Sequence, residues 1–237
     1  MEEVVGELSQ EEIGELQGIF GSVDDPKTKQ IIFDRFLTYR RRMARLAAVQ
    51  ALYLHDLRLK TKALAQSQNL FNDGGDKLKI DALSLCQEVV FFYRNVFFTS
   101  QEYGWTKKNK KIDESFMFEI VSTALSNLIE IDNYIAKHLN PNWTVEKLDI
   151  VLRSIIRCAI AEIFIGEPIE KAVLSSEYTN LASNFFDGKE IGFINGITDK
   201  LYDRVTKDKP FKEKEEDKKL LRNYPNELST SEPKSVW

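Results

Sequence analysis

The sequence predicts an all-α fold, and three observations lead to that prediction. Glycine and proline are scarce, with 11 and 6 among 237 residues, which favours long helices over a fold with many turns. Neither residue occurs between Pro26 and Gly74. Apolar residues recur at helical spacing along most of the chain, and no segment has a convincing β-strand pattern. Amphipathic helices packed around one or two cores are therefore expected.

The N-terminal region carries two helix-start signals. Residues 9–12 have the pattern of a capping box, and a short amphipathic helix is expected over about 10–20. Asp25 and Pro26 form the second signal, an N-cap residue followed by proline at the first helical position. A helix is predicted from Pro26 to about residue 66, either as one long helix or as two with a break near Thr38.

The rest of the chain divides into helices separated by loops and turns. A loop is expected at 72–76 and a basic connector at 104–111. The predicted helices cover about 77–101, 113–139, 144–165, 168–186 and 190–206, with Asp113 and Thr144 as candidate N-caps and Asp187-Gly188 as the last turn. Residues 207–237 are rich in lysine and glutamate and then polar with prolines, so a disordered tail is expected.

Composition and charge exclude several classes of protein. The net charge of −4 argues against a nonspecific nucleic-acid coat. Residues 1–38 hold nine acidic and three basic residues, which leaves the remainder at +2. Cys86 and Cys158 show no pairing or metal-ligand spacing and are expected to be buried thiols in a reducing compartment. The acidic N-terminus lacks signal-peptide features, and no apolar run is long enough to span a membrane, so a cytoplasmic protein is expected.

The most informative segment runs from Tyr39 to Tyr53. It places four arginines, Arg40, Arg41, Arg42 and Arg45, at the front of a stretch that then becomes apolar at helical spacing. The last three share one side of a helix, and the apolar residues that follow have the rhythm of a buried face. This pattern fits a phosphate-binding surface built on a rigid helix. A solvated, charged helix end is the alternative.

Four segments together resemble the NusB family of bacterial transcription antitermination factors. The match covers roughly residues 39–205, and the order and spacing of its pieces make it specific. Its pieces are Arg41-Arg42-Met43-Ala44-Arg45 with Ala48 to Tyr53; Ile131-Asp132 and Trp143, then Leu148 to Ala159 with Glu162-Ile163; Pro168, Lys171-Ala172-Val173, Glu177, Leu181-Ala182 and Phe185; and Phe193 to Lys200.

The resemblance implies two packed three-helix bundles, here about 39–110 and 111–206, preceded by an N-terminal helical arm (1–38) and followed by a polar tail (207–237). It also implies a function: NusB-like proteins pair with the ribosomal protein NusE and bind the single-stranded boxA element of nascent ribosomal RNA. That complex helps RNA polymerase to read through terminators. Family members are not enzymes, and no cofactor is implied.

Seven residues form the predicted RNA-binding set. Single-stranded RNA is held by cations on its phosphates and by flat groups on its bases. Arg40, Arg41, Arg42 and Arg45 are the candidate phosphate contacts, Phe185 and Phe186 the candidate base contacts, and Lys189 a further cation. Core packing is the alternative for each phenylalanine. In this loop, Phe186 replaces a glycine that is usual in the family, and Lys189 stands where an acidic residue is common.

Two other functions compete with RNA binding. One is a helical protein–protein scaffold without significant RNA affinity. The other is an RNA-modifying enzyme, because similar helical domains are attached to some ribosomal RNA methyltransferases. An enzyme would need a glycine-rich cofactor domain, and the sequence contains no G-x-G-x-x-G motif after a strand, no nucleophile–base pair, no P-loop and no metal cluster.

Three further features are interpreted structurally. Asp149, Arg153, Arg157 and Glu162 are expected to make helix-stabilising or interbundle salt bridges. Gly196 lies inside a helical run, which suggests a close helix crossing that requires the missing side chain. The acidic arm is expected to cap the first bundle, to fold back and compete with RNA for the arginines, or to occupy an apolar groove through Ile13, Leu16, Ile19 and Phe20.

Overall fold

The computed structural model describes residues 25–67, 81–95, 112–166 and 169–208, and within these ranges the chain is helical with no strand. This confirms the all-α prediction. The described helices are α1 Pro26–Ser67, α2 Ala82–Asn95, α3 Glu114–Ser126, α4 Leu128–His138, α5 Ile150–Ile165, α6 Lys171–Ala182 and α7 Lys189–Asp208. The predicted arm helix (10–20), the loop at 72–76, the connector at 104–111 and the tail beyond 208 lie outside the described residues.

Helix α1 is one continuous helix of 42 residues. Asp25 caps it by accepting a hydrogen bond from the Thr28 backbone N–H at 2.9 Å, and Pro26 occupies the first turn, where its missing N–H costs nothing. The alternative break near Thr38 does not occur. There the hydroxyl donates to the Asp34 carbonyl at 2.7 Å, within the helix. The arginine run therefore lies in the middle of a helix, without the partial positive charge of a helix N-terminus.

Several predicted helix boundaries are wrong. Helix α2 begins at Ala82 instead of about residue 77, and α6 ends at Ala182 instead of about Phe186. The helix that Asp113 caps, by accepting from the Phe116 N–H at 3.0 Å, ends at Ser126 instead of Leu139, and α4 follows it after Asn127. Thr144 precedes only a short 3-10 turn, Val145–Lys147. Helix α5 begins at Ile150, because the carboxylate of Asp149 accepts hydrogen bonds from the N–H groups of Val151 (2.8 Å) and Leu152 (3.2 Å). A charged acceptor that satisfies two N–H groups is the stronger cap.

The helices pack around α5. Helices α1, α2 and α3 contact one another, α4 and α6 each contact α5 and α7, and α5 also contacts α1, α3 and α7. Helix α3 contacts α1, α2 and α5, so it packs against helices on both sides of the division predicted near residue 110. Buried side chains from Met43 to Val205 form one continuous core. A continuous core means that the described helices share one set of packing contacts.

The buried face of α1 confirms the predicted apolar rhythm and adds small residues to it. Val49 and Leu52 are each 1% exposed, while Leu46 and Tyr53 are half-buried. The sequence analysis did not single out the alanines of this face. Ala44, Ala47, Ala48 and Ala51 are fully buried. Small side chains on this face let the backbones of neighbouring helices approach closely, so charged groups on α1 can reach partners on α5 and α6.

Other predictions have mixed outcomes. Cys86 and Cys158 are buried free thiols, as predicted, and burial raises the pKa of Cys86 to about 12. The interpretation of Gly196 is wrong, because a Cβ added there would meet no atom of the described residues within 4 Å. No helix among the described residues has both the length and the apolar character needed to cross a membrane.

Candidate nucleic-acid interface

The arginine run lies on α1 where this helix faces α3, α5 and α6. Arg41 is exposed, the Arg42 side chain is 57% exposed, and the Arg45 side chain is only 7% exposed. Three arginines within five residues therefore occupy three different environments. Their surroundings decide which of them can meet a ligand.

Arg45 is held in a buried ion pair with Glu162 on α5. Its Nε and Nη2 donate to the two carboxylate oxygens at 2.9 and 2.6 Å, and the buried Tyr178 hydroxyl donates to the same carboxylate at 2.8 Å. Burial alone would lower the pKa of Arg45, but the hydrogen bonds and negative charge of Glu162 outweigh it and raise that pKa. The structure thus places Arg45 inside the protein, against the expectation that it contacts RNA phosphate.

Arg42 is paired with Glu177 on α6 but remains at the surface. Its Nε donates to Glu177 Oε1 at 2.9 Å and to Oε2 at 3.0 Å, and its Nη2 donates to Oε1 at 2.8 Å. The hydrogen bond to Glu177 raises the pKa of Arg42. Glu177 also accepts from Arg45 Nη1 at 3.3 Å. One carboxylate therefore joins an exposed and a buried arginine.

Aromatic rings support the guanidinium groups of this cluster. Arg41 lies over the Phe116 ring at 5.0 Å from its centroid, and Arg45 lies over the same ring at 5.3 Å. Arg40 lies over Phe36 at 5.6 Å. Cation–π contacts of this kind stabilise a guanidinium without neutralising its charge. The four arginines and the carboxylates of Glu162 and Glu177 together leave a net charge of +2 in this cluster.

A cleft of about 210 Å³ opens beside the arginines. Its walls come from α1, α3, the end of α5 and the start of α6. The cleft is lined by Thr38, Arg41, Arg45, Phe116, Glu162, Ile165, Ile169, Val173 and Glu177. Within the described residues, no three His, Cys, Asp or Glu side chains are arranged to hold a metal ion. The cleft thus presents cations and apolar surface, with its carboxylates already engaged by arginine.

The other candidate contacts lie in the turn between α6 and α7. Phe185 is 42% exposed, whereas Phe186 is half-buried and packs against the core. Gly188 adopts a positive φ of 76°, and Lys189 is exposed at the start of α7. The turn begins where α6 ends, about 8 Å along the helix axis from Glu177. Phe185 and Lys189 are thus accessible. Phe186 packs against the core instead, which is the alternative that the sequence left open for it.

A second buried ion-pair network links α1 to α5 and α4. Asp56 accepts from Arg153 Nε at 2.9 Å and from Arg157 Nη1 at 2.8 Å, and Arg157 also pairs with Asp132 at 2.7 Å. Burial alone would raise the pKa of Asp56, but contact with His55 and the charges of the two arginines outweigh it and lower that pKa. Arg153 and Arg157 therefore make salt bridges to other helices, whereas Asp149, also expected in a salt bridge, serves as a helix cap.

The sequence analysis missed Asp56 and Tyr178 as partners in these networks. A signal for Asp56 was present. Arg45, Val49, Leu52 and Asp56 are spaced i, i+4, i+7 and i+11, which places them on one face of α1. Since that face buries Val49 and Leu52, it also buries one cation and one anion, and each requires a charged partner elsewhere.

Comparisons with known proteins find relatives along most of the chain. The sequence model of the NusB family matches residues 42–203. The chain is 30% identical over 170 residues to the "Transcription antitermination protein NusB" of Sphingopyxis alaskensis, covering 70% of this chain and 95% of the relative. The protein of the same name from Rickettsia bellii is 30% identical over 162 residues, which cover 68% and 89% of the two chains.

Solved structures also match. The structure of T. maritima NusB has a TM-score of 0.47 at 21% identity, covering 69% of this chain and 90% of that one. A chain from the crystal structure of antitermination factors NusB and NusE in complex with dsRNA has a TM-score of 0.46 at 24% identity, covering 70% and 98%.

Proposed function

This chain belongs to the NusB family of transcription antitermination proteins, and from that premise we propose that it binds boxA-like single-stranded RNA of nascent ribosomal transcripts. In this proposal it binds the RNA jointly with the ribosomal protein NusE, as a cytoplasmic subunit of the RNA polymerase antitermination complex. The name carried by relatives that align over most of their length supports the antitermination role.

The observation that carries the proposal is the exposed edge of the arginine cluster. Arg41 and Arg42 are exposed, and each is held in place, one by an aromatic ring and the other by a carboxylate. Fixed guanidinium groups bind phosphate oxygens through paired N–H donors. The proposed phosphate contacts are Arg40, Arg41, Arg42 and Lys189.

Phe185 is the proposed base contact. Its ring is exposed at a turn, where an unpaired base can reach it, and stacking on an aromatic ring contributes about 1–3 kcal/mol per base. The proposed contacts do not include Arg45 and Phe186. Arg45 is held in a buried ion pair, and Phe186 packs against the core. The surface is therefore a short cationic strip on α1 together with a separate aromatic and cationic turn.

Titration of a labelled boxA-like RNA at several salt concentrations tests the proposal. We expect measurable affinity for the protein alone and a clear gain when the cognate NusE is present, because the two proteins offer a joint surface. Each phosphate contact adds about 0.7 to the slope of log affinity against log salt for single strands. Absence of salt-dependent RNA binding, with and without NusE, refutes the proposal. Equal affinity in both conditions refutes only the joint surface.

A helical scaffold without RNA affinity is the second candidate, and one observation favours it. Glu162 and Glu177 neutralise half of the charge of the four arginines. A scaffold would still capture NusE, but adding NusE would not create salt-dependent RNA binding. Measuring NusE capture and RNA affinity on the same protein preparation separates the two candidates.

A further inference from the structure

Glu177 occupies an unexpected place for an acidic residue on a proposed RNA-binding surface. It lies on α6, its side chain is only 10% exposed, and it contacts Arg42 at 2.8 Å and Arg45 at 3.3 Å. A carboxylate near phosphates ordinarily weakens RNA binding by repulsion. The geometry of its contact with Arg42 indicates a different effect.

The contact with Arg42 uses one edge of the guanidinium group. Nε and Nη2 donate to Glu177, which engages two of the five N–H donors of an arginine. The remaining three N–H groups belong to Nη1 and to the outer side of Nη2. Among the described residues these donors have no protein partner, and the side chain is 57% exposed. The outer edge therefore presents two parallel donor directions to solvent, the arrangement that binds a phosphate through two oxygens.

We propose that Glu177 is a positioning residue for RNA binding, holding the inner edge of Arg42 so that its outer edge receives one RNA phosphate. This inference rests on the proposed RNA-binding function and adds a role for one carboxylate at the same site. Glu177 is itself fixed, since it is largely buried and also accepts a hydrogen bond from the buried Arg45. The guanidinium of Arg42 is thus tied through Glu177 to the core of the protein.

Two opposing effects set the expected sign. Repulsion between Glu177 and a phosphate on the far side of the guanidinium, roughly 7 Å away, weakens affinity about threefold at the dielectric constant of bulk water and more at that of a protein surface. Physiological salt screens the surface value to roughly fivefold. A free arginine side chain loses rotamer freedom when it binds, which corresponds to roughly tenfold or more in affinity. Because Glu177 has already restricted Arg42, much of that loss is avoided. Removing the carboxylate is therefore expected to weaken RNA binding, although it removes a negative charge.

The test is a double-mutant cycle on the full-length protein with a fluorescent, boxA-like single-stranded RNA. Affinity is measured at several salt concentrations for the wild type, Glu177→Ala, Glu177→Gln, Arg42→Ala and the Arg42→Ala/Glu177→Ala double variant. The matched control is Glu88→Gln, which releases Arg58 from a comparable ion pair about 24 Å away along α1. Thermal unfolding of each variant confirms that the measured protein is folded.

At physiological salt we expect Glu177→Ala to weaken binding about two- to fivefold, and Glu177→Gln to weaken it less, because one amide oxygen still accepts from Arg42. In the Arg42→Ala background, removing Glu177 should cause no further loss, and Glu88→Gln should leave affinity unchanged. Tighter or unchanged binding by the Glu177 variants overturns the inference. Equal losses in both backgrounds also overturn it, because they indicate a purely structural role. Failure of the wild type to bind RNA overturns the proposed function as well.

Discussion

Arg45→Ala separates the structural arginine of the cluster from the surface arginines. In the folded protein, Glu162 has a side chain only 6% exposed and receives two hydrogen bonds from Arg45. After the substitution, this carboxylate retains the Tyr178 hydroxyl as a donor but loses its cation. The variant therefore leaves a buried negative charge without compensation, while the exposed cations remain in place.

The expected loss is large. Breaking a buried ion pair by removing one partner costs about 3–5 kcal/mol, a substantial part of the 5–15 kcal/mol that is typical of a folded domain. For a chain of this size each kcal/mol lowers the Tm by about 2–4 °C, so a decrease of about 10 °C is expected. Arg41→Ala and Arg42→Ala are expected to cost about 1 kcal/mol or less, because both side chains are exposed.

RNA binding is expected to show the opposite ranking. Arg41→Ala and Arg42→Ala should each lower the slope of log affinity against log salt by about 0.7, whereas folded Arg45→Ala should keep the wild-type slope. The assays are urea unfolding and RNA anisotropy over a range of salt concentrations, with the exposed Arg204→Ala as the control for a lost surface arginine. A lower slope for Arg45→Ala, together with unchanged stability, would refute the reasoning.

Three further predictions concern stability and regulation. Asp56→Asn should cost about 3–5 kcal/mol. The pKa of Asp56 is lowered in the folded state. Its contribution to the free energy of unfolding is therefore complete above the unfolded pKa of about 4 and is lost as pH falls below that value. The difference in stability between wild type and variant should accordingly narrow in unfolding curves measured at acid pH. Gly196→Ala should raise the free energy of unfolding by about 0.5–1 kcal/mol, since the site is helical and open. Gly188→Ala should lower the free energy of unfolding, because Gly188 has a positive φ of 76°. Equal effects of the two substitutions in urea unfolding would contradict this prediction. Residues 1–24 lie outside the described residues and carry seven acidic and no basic side chains. Deleting them should tighten RNA binding at low salt if this segment competes for the arginines. A lower Tm with unchanged RNA affinity would indicate a capping role instead.

Local chemistry allowed much of the fold to be predicted from the sequence. Asp25-Pro26 and Asp113 mark helix starts because a carboxylate next to a first turn satisfies N–H groups whatever lies further away. The start predicted at Thr144 is misplaced because Asp149, interpreted from the sequence as a salt-bridge residue, caps the helix instead. Gly196 was misinterpreted because low helix propensity does not reveal whether a neighbour is near.

The sequence by itself determined the all-α class, the approximate places of most described helices and the presence of an arginine-rich segment on α1. Only the tertiary structure decided which arginines face solvent. Arg42 and Arg45 meet Glu177 and Glu162, partners 135 and 117 residues further along the chain. Arg45, four residues before the buried Val49, turns inward with it. Whether a cation meets phosphate or carboxylate depends on how α1 is rotated against α5 and α6, and packing of the shared core sets that rotation.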